Sequence, residues 1–165
     1  MDHDQRLVMR QFATGVCVAS IHDPGPVDSP HDAVTVNSVT SLSLDPPLMS
    51  LCLRHDSRFL DGLRRAGGWA LSILSSRHAD LALALAKDKD ARSEAVAAME
   101  GTPGRTTGAL VLDGPGWIEC ELEQTLALGD HTMAVGRVVA AGVREEEDPL
   151  VFLEGRFRRV AEAVA

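Results

Sequence analysis

The sequence predicts a mainly β protein, an antiparallel barrel or sandwich flanked by three or four short helices. Three observations predict it. About seven strand-like runs follow one another closely, and turns rather than helices join most of them. Two of these runs, residues 117–128 and 131–143, flank a Gly129-Asp130 turn and read as one long hairpin. The glycines at 101, 104 and 108 have the wrong spacing for either phosphate-binding loop of a doubly wound sheet.

Residues 4–13 read as a short amphipathic helix, with Leu7, Val8, Gln11 and Phe12 at helical spacing and Gly15 as the stop. Residues 16–21 are rich in Val and Ala and read as a strand, followed by the loop HDPGPVDSPHD. Residues 33–44 and 48–53 read as two strands. The chain must turn between them, because Pro46 and Pro47 cannot donate to a ladder. Residues 57–66 read as a helix ended by Gly67 and Gly68, and residues 69–74 return to strand.

The segment ADLALALAKDKD alternates like a strand, yet Ala and Leu are strong helix formers and Ser75 and Ser76 stand ready as caps. We therefore expect a helix there and a second one over 91–99, then a loop at GTPGRTTG. In residues 117–128 the expectation is that Ile118, Cys120, Leu122 and Leu126 face the core, with Glu119, Glu121 and Glu123 facing solvent. EEEDP reads as a charged loop, and residues 150–160 as a last strand or two.

The 165 residues suit one domain, 1–165, with 45% hydrophobic residues to build a core. A net charge of −8 repels phosphate backbones and anionic lipid, so no nucleic-acid or membrane partner is expected. Cys17, Cys52 and Cys120 are odd in number and form no CxxC, which fits a reducing cytoplasm. The start is charged and lacks the apolar stretch of a signal peptide, and no apolar run reaches membrane-spanning length. The six histidines are scattered and no HExxH or GxSxG occurs, so neither a metal site nor a hydrolase nucleophile is expected.

One stretch carries more chemistry than a strand needs. AVTVNSVTSLSLDPPLMSLCL holds Thr35, Asn37, Ser38, Thr40, Ser41 and Ser43 before an almost purely apolar second half. A row of small hydroxyl and amide groups is either the wet face of a sheet or a comb of donors and acceptors for a polar ligand.

Taken in order, FATGVCVAS, TVNSVTSLSLDPPLMSLCL, SRFLDGLRRAGGWALSIL, ALVLDGPGWIECEL, GDHTMAVGRVVAAGV and PLVFLEGRFRRV resemble the flavin reductase family of two-component monooxygenase systems, over residues 10–160. The resemblance implies a Greek-key, FMN-binding split β-barrel and a homodimer with the flavin near the subunit interface. It implies FAD or FMN as the flavin, NADH or NADPH as the hydride donor, and a separate flavin-dependent oxygenase that receives the reduced flavin. Thr35, Val36, Asn37 and Ser38 match the family's flavin-contacting segment, Ser41 extends it, and Leu53 follows on the next strand.

The resemblance also implies a flavin phosphate near the helix that starts at Ser57. RHDSRF matches the family's phosphate segment in part: Ser57 and Arg58 fit, whereas Asp56 and Phe59 replace hydroxyl residues. Asp56 is expected to cap the helix and to oppose a phosphate, with Arg54 and Arg58 offsetting it. His131 matches the family histidine on the nicotinamide side, as a positioning residue rather than a base, since the two cofactors carry the chemistry. Arg137, Phe152 and Leu153 depart from the family pattern, while Arg156 and Arg158 read as strand cover. A flavin carrier without turnover, or an interaction subunit with a degenerate site, would share the same fold.

Overall fold

The structure is a computed structural model and describes residues 4–25, 30–144 and 148–160. Parts of two expected loops, residues 26–29 and 145–147, lie outside the described residues. The chain runs α1 (Gln5–Met9), β1 (Thr14–Gly15), β2 (Cys17–His22), β3 (His31–Val36), β4 (Val39–Leu44), β5 (Pro47–Arg54), α2 (Arg58–Ala66) and β6 (Gly68–Ile73). One tight helical turn at Ser76–His78 leads into α3 (Ala79–Leu85) and α4 (Lys89–Ala97). It ends with β7 (Gly101–Pro103), β8 (Leu110–Leu112), β9 (Gly116–Leu128), β10 (His131–Val143), β11 (Leu150–Leu153) and β12 (Arg156–Arg159).

Seven strands form one antiparallel sheet in the order β3-β2-β6-β9-β10-β5-β4. A three-stranded sheet β1-β11-β12 and the two-stranded β7-β8 stand beside it. The expected single strand over 33–44 is two strands broken at Asn37-Ser38. β3 pairs with β2, β4 pairs with β5, and these two consecutive strands are the opposite margins of the sheet. The chain thus steps from one margin to the other in two residues, which curls the sheet almost onto itself. β3 and β4 share no ladder, so the sheet is not a closed hydrogen-bonded barrel.

The curl encloses one core. Trp69, Phe59, Leu60, Leu63, Leu51 and Cys120 fill it, with α2 as its plug. Trp69 lies so close to β10 that a Cβ on Gly136 would stand 2.8 Å from the indole Cζ3, and this is why that strand position is glycine. A second core lies on the outer face, where Val18, Leu74 and Leu150 meet Ala82 and Leu85 of α3 and Val96 of α4. Covered on both faces, β2 is buried from Cys17 to Ile21 and shows no alternation.

The long hairpin forms as expected and carries two irregularities, at Val135/Gly136 and at Val138/Ala140. Glu119 corrects the expected solvent face. It is buried at 1% exposure. The backbone N–H groups of Thr106 and Thr107 and the Thr107 hydroxyl donate to its Oε1 at 3.2, 2.9 and 2.8 Å. Those donors come from the GTPGRTTG segment, which is a β7-β8 hairpin folded over β9 rather than a plain loop. Beyond the first irregularity Leu126 is exposed, not core-facing. The expected helix over 4–13 shrinks to α1, because its apolar side finds nothing to pack on: Leu7, Val8 and Phe12 are all exposed. The ADLALALAKDKD helix ends at Leu85 and α4 begins at Lys89. No helix among the described residues is long and apolar enough to cross a membrane.

Candidate functional site

Two cavities meet at the Asn37-Ser38 step, and both are lined by Asn37, Ser38 and Cys52. One, of about 690 Å³, is polar and lies between β3, the end of β5 and the N-terminal ends of α2 and α4. The other, of about 1090 Å³, is largely apolar and lies under α1, with Phe12, Val39 and Phe152 among its walls.

Nine of the ten residues singled out from the sequence line the polar cavity: Thr35, Val36, Asn37, Ser38, Leu53, Asp56, Ser57, Arg58 and His131. Ser41 does not. It is exposed on β4 opposite Met49, beside an irregularity in that ladder.

The small polar side chains are not all equally open. The Thr35 hydroxyl donates to the Ala82 carbonyl at 2.8 Å and so ties β3 to α3. The Ser38 hydroxyl donates to the Cys52 carbonyl at 2.9 Å and accepts from the Cys52 N–H at 3.3 Å, riveting the step to β5. The Val36 and Leu53 side chains point into the core. What these positions offer a ligand is mainly backbone. Asn37 is exposed, with its amide donating weakly to Thr14 Oγ1 at 3.3 Å.

At the other end of the cavity Ser57 caps α2 from an extended backbone, and its hydroxyl makes no capping bond. Asp56 is therefore not the expected cap. Its carboxylate instead accepts from Arg54 Nε at 3.0 Å and Nη2 at 2.9 Å, and that bidentate contact holds its carboxyl below the usual range. Arg58 does not offset Asp56 either, because it donates to Asp90 Oδ1 of α4 at 3.0 Å. Below them Arg92 pairs with Asp32 at 2.9 Å, both nearly fully buried, and Lys89 Nζ stands 3.7 Å from the same carboxylate.

His131 opens β10 opposite Arg54. Its Nδ1 donates to Asp130 Oδ1 at 2.7 Å, and this bond holds the Asp130 carboxyl below its usual range. An ionised carboxylate only accepts, so the proton sits on Nδ1 and Nε2 is the nitrogen left for a ligand.

Sequence reasoning missed His55. Its Nε2 donates to the Gly129 carbonyl at 2.9 Å, and its Nδ1 lies 2.8 Å from the buried Thr132 hydroxyl. His55 thereby fixes the turn that carries His131, and a lone histidine between a strand and a helix gave no signal of that. It missed Asp90 too, although the KDKD run marks a charged cluster there. Of the departures, Phe152 lines the apolar cavity and packs edge-on against Phe157. Arg137 lies 3.6 Å from Glu123 on the hairpin, and Leu153 pairs with Arg156 in β12.

The flavin reductase like domain model matches residues 9–161, nearly the whole chain and all of the polar cavity's lining. The chain belongs to the flavin reductase like family. It is 35% identical over 131 residues to a probable flavin reductase of Rhizobium meliloti, covering 78% of this chain but 40% of that longer protein. Among solved structures it is similar to BorF, the flavin reductase component of a bacterial two-component tryptophan halogenase. There the identity is 33% and the TM-score 0.83, with 97% of this chain and 98% of that one covered. It is also similar to the Streptomyces globisporus NADH:FAD oxidoreductase SgcE6, solved in complex with NAD and FAD fragments. The identity is 29% and the TM-score 0.84, over 95% of this chain and 91% of that one.

Proposed function

We propose that this chain, read as one domain over 1–165 with a split-barrel fold, is an NAD(P)H:flavin oxidoreductase that hands reduced FMN or FAD to a partner oxygenase. One observation carries the reading: a polar cavity and an apolar cavity join at a step of exposed backbone. A flavin has that same division, a polar ribityl phosphate tail and a flat aromatic ring. The tail fits the polar lobe, with its phosphate at Ser57 and Arg58, where the N-terminal end of α2 borders the cavity. The ring fits across Asn37 and Ser38, with its remaining face toward the apolar lobe.

When bound, the flavin accepts a hydride from the reduced nicotinamide, and the protein supplies no base for that transfer. The residues position and shield. His131 presents Nε2 to the nicotinamide side, and Phe12 and Phe152 keep water from the rings. A homodimer completes the site in this reading. It is supported by the bare Leu7, Val8 and Phe12 beside the apolar lobe. Three free cysteines support a cytoplasmic setting.

Loss of near-ultraviolet nicotinamide absorbance, followed with FMN or FAD present and absent, tests the activity. Flavin-dependent loss is expected; quenching of flavin fluorescence without nicotinamide loss would make the protein a carrier instead. The variant His131→Ala is expected to lower kcat/KM for the nicotinamide by about tenfold to a hundredfold, with flavin Kd little changed. Unaltered steady-state kinetics would remove His131 from the site.

A further inference from the structure

Three arginines line the polar cavity, and each already holds a carboxylate: Arg92 with Asp32, Arg54 with Asp56, Arg58 with Asp90. The first pair is buried and structural. Arg58 and Asp90 differ, since their side chains are 64% and 83% exposed and belong to different helices facing each other across the cavity.

Asp90 is not a wandering surface group. Its helix is anchored two residues later by the buried Arg92–Asp32 pair, and its own carbonyl accepts from the Ser93 hydroxyl at 2.9 Å. Its Oδ1 takes the Arg58 N–H at 3.0 Å, the place where a phosphate oxygen on that guanidinium would go.

We infer that Asp90 is a built-in competitor of the flavin phosphate, an affinity-setting residue that keeps phosphorylated flavins exchangeable. The inference rests on the flavin reading of this cavity. An exposed ion pair contributes little, so a dianionic phosphate displaces it readily and forms the stronger charge-assisted bond to Arg58. The displaced carboxylate cannot leave, because its helix is fixed. It stays within Coulomb range of the phosphate and lowers the net gain. For a reductase whose product must depart, that lowered gain favours release. The ring of the flavin does not meet Asp90, so the effect belongs to the phosphate alone.

The experiment measures Kd for FMN, FAD and riboflavin by fluorescence quenching, in wild type, Asp90→Asn and Asp90→Glu, at low and raised salt. Asp90→Asn is expected to tighten FMN and FAD by about three- to tenfold, to leave riboflavin unchanged, and to lose most of its advantage as salt rises. Asp90→Glu is expected to behave as wild type. Unchanged FMN affinity in Asp90→Asn overturns the inference, and so does an equal tightening of riboflavin, which would mean a reshaped cavity. A second arm needs no flavin. Inorganic phosphate is titrated while the Arg58 Nε–H resonance is followed, and the midpoint is expected at lower phosphate in Asp90→Asn. Equal midpoints overturn the competition. Absence of flavin binding in wild type together with a shifted midpoint would instead overturn the flavin reading and leave the anion competition standing.

Discussion

The two margins of the seven-stranded sheet are built by consecutive strands, yet they are finished in opposite ways. At β3 the margin is covered: α3 and α4 lie on it, Thr35 bonds to α3, and Asp32 takes Arg92 in a buried pair. At β4 no helix among the described residues covers the strand, and Leu42 and Leu44 are 45% and 89% exposed. A margin closed by a chain's own helices can hold a buried charge, because a helix there supplies the opposite charge. A margin left with bare leucines is unfinished until another surface meets it.

The largest expected effect comes from breaking the finished margin. Arg92→Met leaves the Asp32 carboxylate buried with the Ala33 N–H and the more distant Lys89, and stability is expected to fall by about 3–5 kcal/mol in urea unfolding. Replacing both partners, Asp32→Leu with Arg92→Met, is expected to recover most of that loss, because no unpaired charge remains. On the bare margin, Leu44→Lys is expected to leave monomer stability within about 0.5 kcal/mol of wild type. It is expected to weaken self-association severalfold in sedimentation velocity. A Leu44→Lys variant that associates as wild type does would detach β4 from the dimer proposed above.

The smallest effect concerns pH. Asp23 is buried at the end of β2, and Arg65 of α2 donates to it at 2.6 Å, holding its carboxyl below the usual range. A carboxyl lowered on folding adds stability above its unfolded value, about 4, and loses it as pH falls through the folded value. Asp23→Asn is therefore expected to lower stability modestly above about pH 4 and to flatten the profile below it, so that the variant and wild-type curves converge in acid. An acid limb as steep as that of wild type would show that other carboxylates set it.

Periodicity and turn chemistry made most of this fold legible. The hairpin over 117–143 follows from alternation around Gly129-Asp130, and α2 ends where Gly67 takes a positive φ of 69°. The break at Asn37-Ser38 was not legible, since the alternation of small and apolar residues runs straight through it. Only the pairing of β3 and β4 with different neighbours separates them. The GTPGRTTG hairpin hid behind a loop-like composition, and its reason for folding, the buried Glu119, was assigned to solvent by the same alternation.

For the candidate site, residue types and order brought out nine residues that share one cavity. The partners of the charged ones were not legible. Arg54 with Asp56 is a contact between near neighbours, whereas Arg58 with Asp90 spans two helices that meet only after folding. Ser41 matched the pattern of its neighbours and still lies outside the cavity, because the step at Asn37-Ser38 carries it to the far margin.

That step has one more consequence. A molecule lying over Asn37 and Ser38 bridges both margins of the curled sheet at once, across the seam where the Ser38 hydroxyl ties the step to β5. Occupancy and the tightness of the wrap are then one mechanical variable. Amide protons along the seam should exchange with deuterium more slowly whenever a guest spans it.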